Sequence, residues 1–183
     1  DHGNRGLMVM SPAQLATATA KAKRCGVQVA THAIGDRGNR ESLDVYAAAL
    51  GKDAASDHRW RIEHAQVLSP TDLPRLAALN VIASMQPTHA TSDMPWAQDR
   101  VGPERIVGAY AWRQLRDSGA RLALGSDFPV ERVDPRLGLS AAATRADGDG
   151  KPVGGWFPGE KLTAYEALRG FTRADVLVWP RDS

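Results

Sequence analysis

His32, His64 and Asp127 lie far apart in the chain but share a place in the local pattern. Each stands at the carboxyl end of a strand-like run, over 27–32, 60–64 and 121–127, built from β-branched and other apolar residues. One histidine at a strand end is usually packed there and bonded to backbone. Three metal-competent side chains in the same position are harder to assign to packing. In a parallel barrel the carboxyl ends of all strands open on one rim, so residues distant in sequence converge there. Two imidazoles and a carboxylate form a ligand set that zinc, iron or manganese accepts. A divalent ion so held lowers the pKa of a bound water to roughly 7 and polarises a carbonyl.

The elements that must position these residues alternate. Ser11-Pro12-Ala13-Gln14 has the form of a capping box with proline at the first helical position, and Gly26 is placed to stop that helix. After His32, a helical face carries Leu43, Tyr46, Ala47 and Leu50, with Gly51 as its stop. Ser69-Pro70-Thr71-Asp72 repeats the helix-start pattern, and the run 81–86 reads as a third strand ended by Pro87. Residues 88–102 are polar and read as a long loop, followed by a helix from Pro103 to Gly119. After Asp127, Asp134-Pro135 caps a short helix, and 146–159 is glycine-rich and reads as a mobile surface loop. Thr163-Ala164-Tyr165-Glu166 is a further capping box, and 174–179 reads as a last strand. Four β-α units in succession predict an α/β fold with a parallel sheet and right-handed crossovers.

Composition bounds the function. The chain has 183 residues, enough for one domain with a core, and a net charge of +2 with its arginines scattered. That leaves no footprint for nucleic acid or an anionic membrane, and no apolar run is long enough to span a bilayer. The single cysteine, Cys25, excludes an internal disulfide and fits a cytoplasmic location. The first residues carry no initiator methionine and read as a loop, so the chain is expected to begin part-way through a larger protein.

Four motifs in order carry a resemblance: Thr31-His32-Ala33-Ile34-Gly35-Asp36, Arg61-Ile62-Glu63-His64-Ala65-Gln66, Gln86-Pro87-Thr88-His89-Ala90-Thr91 and Gly125-Ser126-Asp127-Phe128-Pro129-Val130. Together they resemble the amidohydrolase superfamily, in the amidohydrolase-3 branch that includes N-substituted formamide deformylases. The resemblance implies a (β/α)8 barrel, of which residues 1–173 hold the last four β/α units. Residues 174–183 would be the remnant of an accessory β-sandwich. It implies that His32 and His64 are metal ligands, and that Asp127 is both ligand and catalytic acid–base. The cofactor would be one or two divalent ions, zinc first, with iron or manganese as alternatives. The family also uses a His-x-His pair, and usually a bridging lysine, from its first four strands. This chain has no His-x-His and no lysine at a strand end. It is therefore expected to need an amino-terminal half, or a second copy, as partner.

The expected reaction is hydrolysis of a C–N bond in a small amide or N-substituted formamide. The alternatives are a catalytically silent half-barrel, or a relative acting on cyclic imides, esters or deaminated rings. His89 follows the third strand and is a candidate for substrate or oxyanion contact, or a solvent-exposed loop histidine. Gln86, Trp96 and Phe128 are candidate substrate contacts, with Trp156 as a further apolar wall. Asp36 and Arg37 are candidates to orient a ligand imidazole, or simply an Asp–Arg turn pair. Glu63 reads as structural, and His2 and His58 as surface.

Overall fold

The computed structural model describes residue 3 and residues 5–178. Four strands, β1 (Ala30–Ala33), β2 (Arg61–His64), β3 (Ile82–Met85) and β4 (Arg121–Leu124), form one parallel sheet in sequence order. α1 (Pro12–Arg24) precedes β1, and between the strands run α2 (Asp36–Leu50), α3 (Leu73–Ala78), α4 (Pro87–Asp93), α5 (Ala97–Arg105) and α6 (Trp112–Asp117). After β4 come α7 (Pro135–Thr144) and α8 (Ala164–Val178).

The pairing register separates two faces. Ala30 pairs with Arg61 and Arg61 with Ile82, which in turn pairs with Arg121. Side chains alternate along a strand, so His32, Glu63, Ser84 and Ala123 share one face. The other face carries Ala33, Ile62, Ala83, Met85 and Leu124, all packed in the main core with Leu43, Tyr46, Leu76, Trp112 and Leu115 from the helices. Ile82 and Ala123 form a small separate cluster on the first face, beside an Arg61–Glu63 ion pair. Glycine allows one close helix approach. A Cβ on Gly170 would lie 2.6 Å from the Leu124 side chain, so α8 seats directly on β4.

Local codes held where they were complete. Ser11 Oγ accepts from Gln14 N at 3.3 Å while Gln14 Oε1 accepts from Ser11 N at 2.9 Å, so the first capping box forms. Thr163 and Glu166 reciprocate in the same way, and Gly51 ends α2 at φ +53°. Ser69 does not cap α3. That helix begins at Leu73, because the Asp72 carboxylate is drawn to Arg40 and Arg75 instead of to backbone.

Other expectations are corrected. The polar stretch 88–102 is helical rather than a loop, with Pro87 at the first position of α4 and α5 following after Trp96. The expected helix over 103–119 is interrupted: Pro103 follows Gly102, whose φ of +81° and ψ of 166° kink α5, and Tyr110 has φ +52°. Gly108 presses on the Leu68 carbonyl, and Ala109 bridges Val67, so this part of the chain is held as a strap rather than a helix. The segment 146–159 is pinned rather than loose. Asp147 Oδ1 accepts from Asp149 N and Lys151 N, both at 2.9 Å, and Trp156 N donates to Arg145 O at 2.8 Å. The strand expected over 174–179 is instead the end of α8 as far as Val178, because no glycine or proline interrupts the chain between Gly170 and Pro180. Trp179, like His2, lies outside the described residues.

Candidate metal centre

The rim at the carboxyl ends of the strands gathers five of the singled-out side chains, His32, His64, Gln86, His89 and Asp127. His64 closes β2, and its position in the alternation should turn it towards the helices. It does not continue the strand geometry: His64 has φ +73° and Ala65 φ +44°. Such left-handed backbone is uncommon outside glycine and costs on the order of 1–2 kcal/mol. The result is a ring lying edge-on to His32, with centroids 4.5 Å apart at 75°. His64 Nδ1 is 2.9 Å from Gln86 Oε1, and the Gln86 amide nitrogen points to Ser84 O at 3.4 Å. An amide oxygen can only accept, so Nδ1 carries the proton and the lone pair sits on Nε2. Gln86, a candidate substrate contact in the sequence, is thus placed to orient His64.

His89 sits in the first turn of α4. Its ring stacks on that of His64, with centroids 5.7 Å apart and planes 15° apart. Asp127 lies three residues beyond β4 rather than on it, with φ +57°. Its Oδ2 is 3.9 Å from His89 Nε2, too long for a hydrogen bond. His64, His89 and Asp127 each offer a donor atom within 4.8 Å of the other two. His32 stands beside this trio through its contact with His64. Its pKa is lowered, first by loss of water around the ring and then by His64, against an opposing pull from Asp127 and Glu63. A lowered value keeps the imidazole neutral, the form that binds metal.

The donors fit a divalent ion. Two imidazoles beside a carboxylate suit zinc and its neighbours. Among the described residues, His89 Nε2 is buried with no hydrogen-bond partner.

Several candidates are employed elsewhere. The Asp36 carboxylate receives Arg105 Nε and Nη2 at 2.8 and 2.9 Å, and Arg37 pairs with Glu41 one turn along α2. Neither reaches His32, because α2 begins at Asp36 and carries both side chains outward. Trp156 packs on Tyr110 and Phe157 in the helical layer and is not a wall of the rim. Trp96 and Phe128 remain 48% and 65% exposed, free to meet a ligand. His58 is not a free surface residue: its ring bonds Leu79 O and Trp60 N, both at 2.9 Å.

Sequence reasoning missed one polar cluster. Gln66 Nε2 donates to Asp93 Oδ2 at 2.8 Å and to the Tyr110 hydroxyl at 2.6 Å, and that hydroxyl donates to Asp93. Burial and the Asp93 carboxylate hold the Tyr110 pKa far above the ordinary phenol value. The available signal was the four-residue spacing of His89 and Asp93, which reads as one helix face only once the stretch is taken as helical.

Parallel strands with crossover helices and an imidazole–carboxylate cluster at their carboxyl ends define an α/β protein built around a metal-competent rim. The Amidohydrolase family model matches residues 3–175, and the chain belongs to that family. It is 39% identical over 90% of its length to Protein LONG AFTER FAR-RED 3 of Arabidopsis thaliana, covering 28% of that protein. It is 34% identical over 96% of its length to the putative amidohydrolase YtcJ of Bacillus subtilis, covering 33% of it. It is 26% identical over 91% of its length to the N-substituted formamide deformylase of Arthrobacter pascens, covering 30%. A solved structure of an uncharacterized metal-dependent hydrolase from Pyrococcus horikoshii matches with a TM-score of 0.82 and 33% identity, over 97% of this chain and 35% of that one. The chain therefore spans about a third of the length of its relatives. No helix among the described residues is long and apolar enough to cross a membrane.

Proposed function

We propose that this chain is the carboxyl-terminal half of a (β/α)8 barrel hydrolase that cleaves a C–N bond in a small amide or N-substituted formamide. The observation that carries the reading is the convergence of His64, His89 and Asp127 donors beside His32 on one rim of a parallel sheet. The half-barrel reading is supported by the sheet itself, whose first face, among the described residues, holds Ile82 and Ala123 as its core cluster and leaves His32 exposed. The share of its relatives that the chain covers supports it too.

His32, His64 and Asp127 would hold the ion, zinc by preference. When bound, a divalent ion supplies an acidified water and a polarised substrate carbonyl. Gln86 keeps His64 in the tautomer that presents Nε2. Asp127 takes the proton from the attacking water and delivers it to the leaving nitrogen, work that one carboxylate performs in both directions. Its side chain is 38% exposed, which leaves it accessible to water and substrate together. Phe128, next along the chain, and Trp96 offer apolar surface to a substituent on that nitrogen. The amide preference is supported by the Arthrobacter relative.

The test is chelation and reconstitution of the complete protein, followed by a panel of N-substituted formamides, linear amides, cyclic imides and esters. Loss of turnover on chelation, its return with zinc, and fastest cleavage of formamides or linear amides are expected. Turnover that survives complete metal removal, or that is confined to esters or imides, would overturn the reading.

A further inference from the structure

We infer that Arg145 and Trp112 form a buried site for one small anion of the halide class, with chloride as its expected occupant. The site lies in the helical layer and stands or falls separately from the metal centre.

A charge enclosed by protein needs an opposite charge or full hydrogen bonding. Among the described residues, Arg145 has neither. It is 1% exposed. Its Nε donates to Trp156 O at 2.5 Å and its Nη1 to Tyr110 O at 2.9 Å, both neutral backbone carbonyls. No hydrogen bond among the described residues reaches Nη2. The carboxylate that acts on Arg145 is Glu160, whose oxygens accept instead from Arg113 N, Gln114 N and Gln114 Nε2. Burial lowers the Arg145 pKa to about 10, so the guanidinium keeps its charge at neutral pH.

Trp112 supplies a second donor. Its ring is fully buried, and the guanidinium carbon lies 4.4 Å from the ring centroid. The indole Nε1 can only donate, and it too is buried with no hydrogen-bond partner among the described residues. Trp156 flanks the guanidinium at 5.2 Å. The two rings satisfy the faces of the guanidinium by cation–π attraction and leave its N–H edge to another ligand. N–H donors on a cation and an indole select an anion. Water brings no charge, and a metal cation is repelled.

Enclosure sets the size of that anion. Arg145 has φ +53° at the end of α7, left-handed backbone that is uncommon outside glycine. The segment 146–159 closes over it. A Cβ on Gly155 would stand 2.1 Å from Thr144 O and 3.3 Å from Arg145 Cβ, so glycine permits the close approach. This cover excludes an anion carried on a larger molecule, whereas a halide takes little more than the space of a water. Bound there, it ties the start of α6 and the end of α7 to the strap at Tyr110, whose hydroxyl reaches Gln66 and Asp93.

The experiment uses the complete protein. Its thermal midpoint is followed from about 1 to about 200 mM chloride, with gluconate holding the ionic strength constant, and crystals are soaked in bromide for anomalous diffraction. The expected results are a midpoint rise of about 2–4 °C over that range and an anomalous peak touching both Arg145 Nη2 and Trp112 Nε1. Trp112→Phe, which keeps a stacked ring but removes the N–H, should lose most of the rise. Arg145→Lys, which keeps a charge without the fork, should lose it as well if Trp112→Phe folds poorly. A midpoint independent of chloride, a rise that the folded variant keeps in full, or a water in place of the bromide peak would overturn the site. None of these outcomes reads turnover or zinc, so the metal reading is tested apart.

Discussion

The rim of the sheet and the layer of helices behind it treat charge in opposite ways. In the helical layer, the Asp72 side chain is 3% exposed and accepts from Arg40 at 2.9 Å and Arg75 at 3.0 Å. Glu166 likewise receives Arg113, Arg116 and the Thr163 amide, stitching α6 to α8. At the rim, among the described residues, no hydrogen bond reaches the Asp127 carboxylate, and the nearest cationic candidate is the His89 ring at 3.9 Å. The backbone differs as well. His64, Ala65 and Asp127 all have positive φ at the rim, whereas Asp72 has ordinary helical dihedrals. Buried carboxylates met by two arginines serve cohesion. The rim carboxylate has no arginine partner and stands on positive-φ backbone, beside an imidazole nitrogen that no hydrogen bond reaches among the described residues.

The largest expected effect breaks function without touching cohesion. Asp127→Asn should lower kcat by at least about 100-fold, the scale of general acid–base catalysis, with the thermal midpoint preserved. Near-normal turnover would remove Asp127 from the mechanism, and a collapsed midpoint would show that the rim is also structural.

Tyr110→Phe tests the seam between the two regions. The hydroxyl bridges Gln66 and Asp93 in a buried place, so its loss should cost about 1–3 kcal/mol in urea unfolding. Because Asp93 supports α4, zinc affinity should also fall by roughly tenfold. A loss of stability with unchanged zinc affinity would confine the cluster to the helical layer.

The smallest effect is a change in pH dependence. The Arg113 guanidinium, with help from Thr163 and Arg116, holds the Glu166 carboxyl well below its ordinary value of 4.5. A depressed folded-state pKa stabilises the protein above the unfolded value, and that contribution is lost as pH falls below about 4.5. The thermal midpoint of wild type should therefore decline more steeply on acidification below that point than the midpoint of Glu166→Gln. Parallel declines in calorimetry would show that other carboxylates govern acid unfolding.

Several features were legible because their code is local. The capping boxes at Ser11 and Thr163 and the glycine stop at Gly51 each lie within a few consecutive residues and formed as written. The four strands and their parallel order also followed from periodicity and alternation. Where the code needs a distant partner, reading along the chain failed. Polar 88–102 becomes helical around His89 and Asp93 because Gln66 and Tyr110 hold Asp93. The segment expected as one helix over 103–119 breaks because the Leu68 carbonyl and Val67 claim Gly108 and Ala109. Asp36 was taken by Arg105, 69 residues away.

The sequence by itself determined the family and the four β-α units, because residue types and their spacing are properties of a linear chain. Only the tertiary structure decided that His64 leaves the alternation of its strand, that Gln86 turns to orient it, and that His89 joins Asp127. Those outcomes depend on backbone strain and on contacts between segments more than twenty residues apart, which no local propensity encodes.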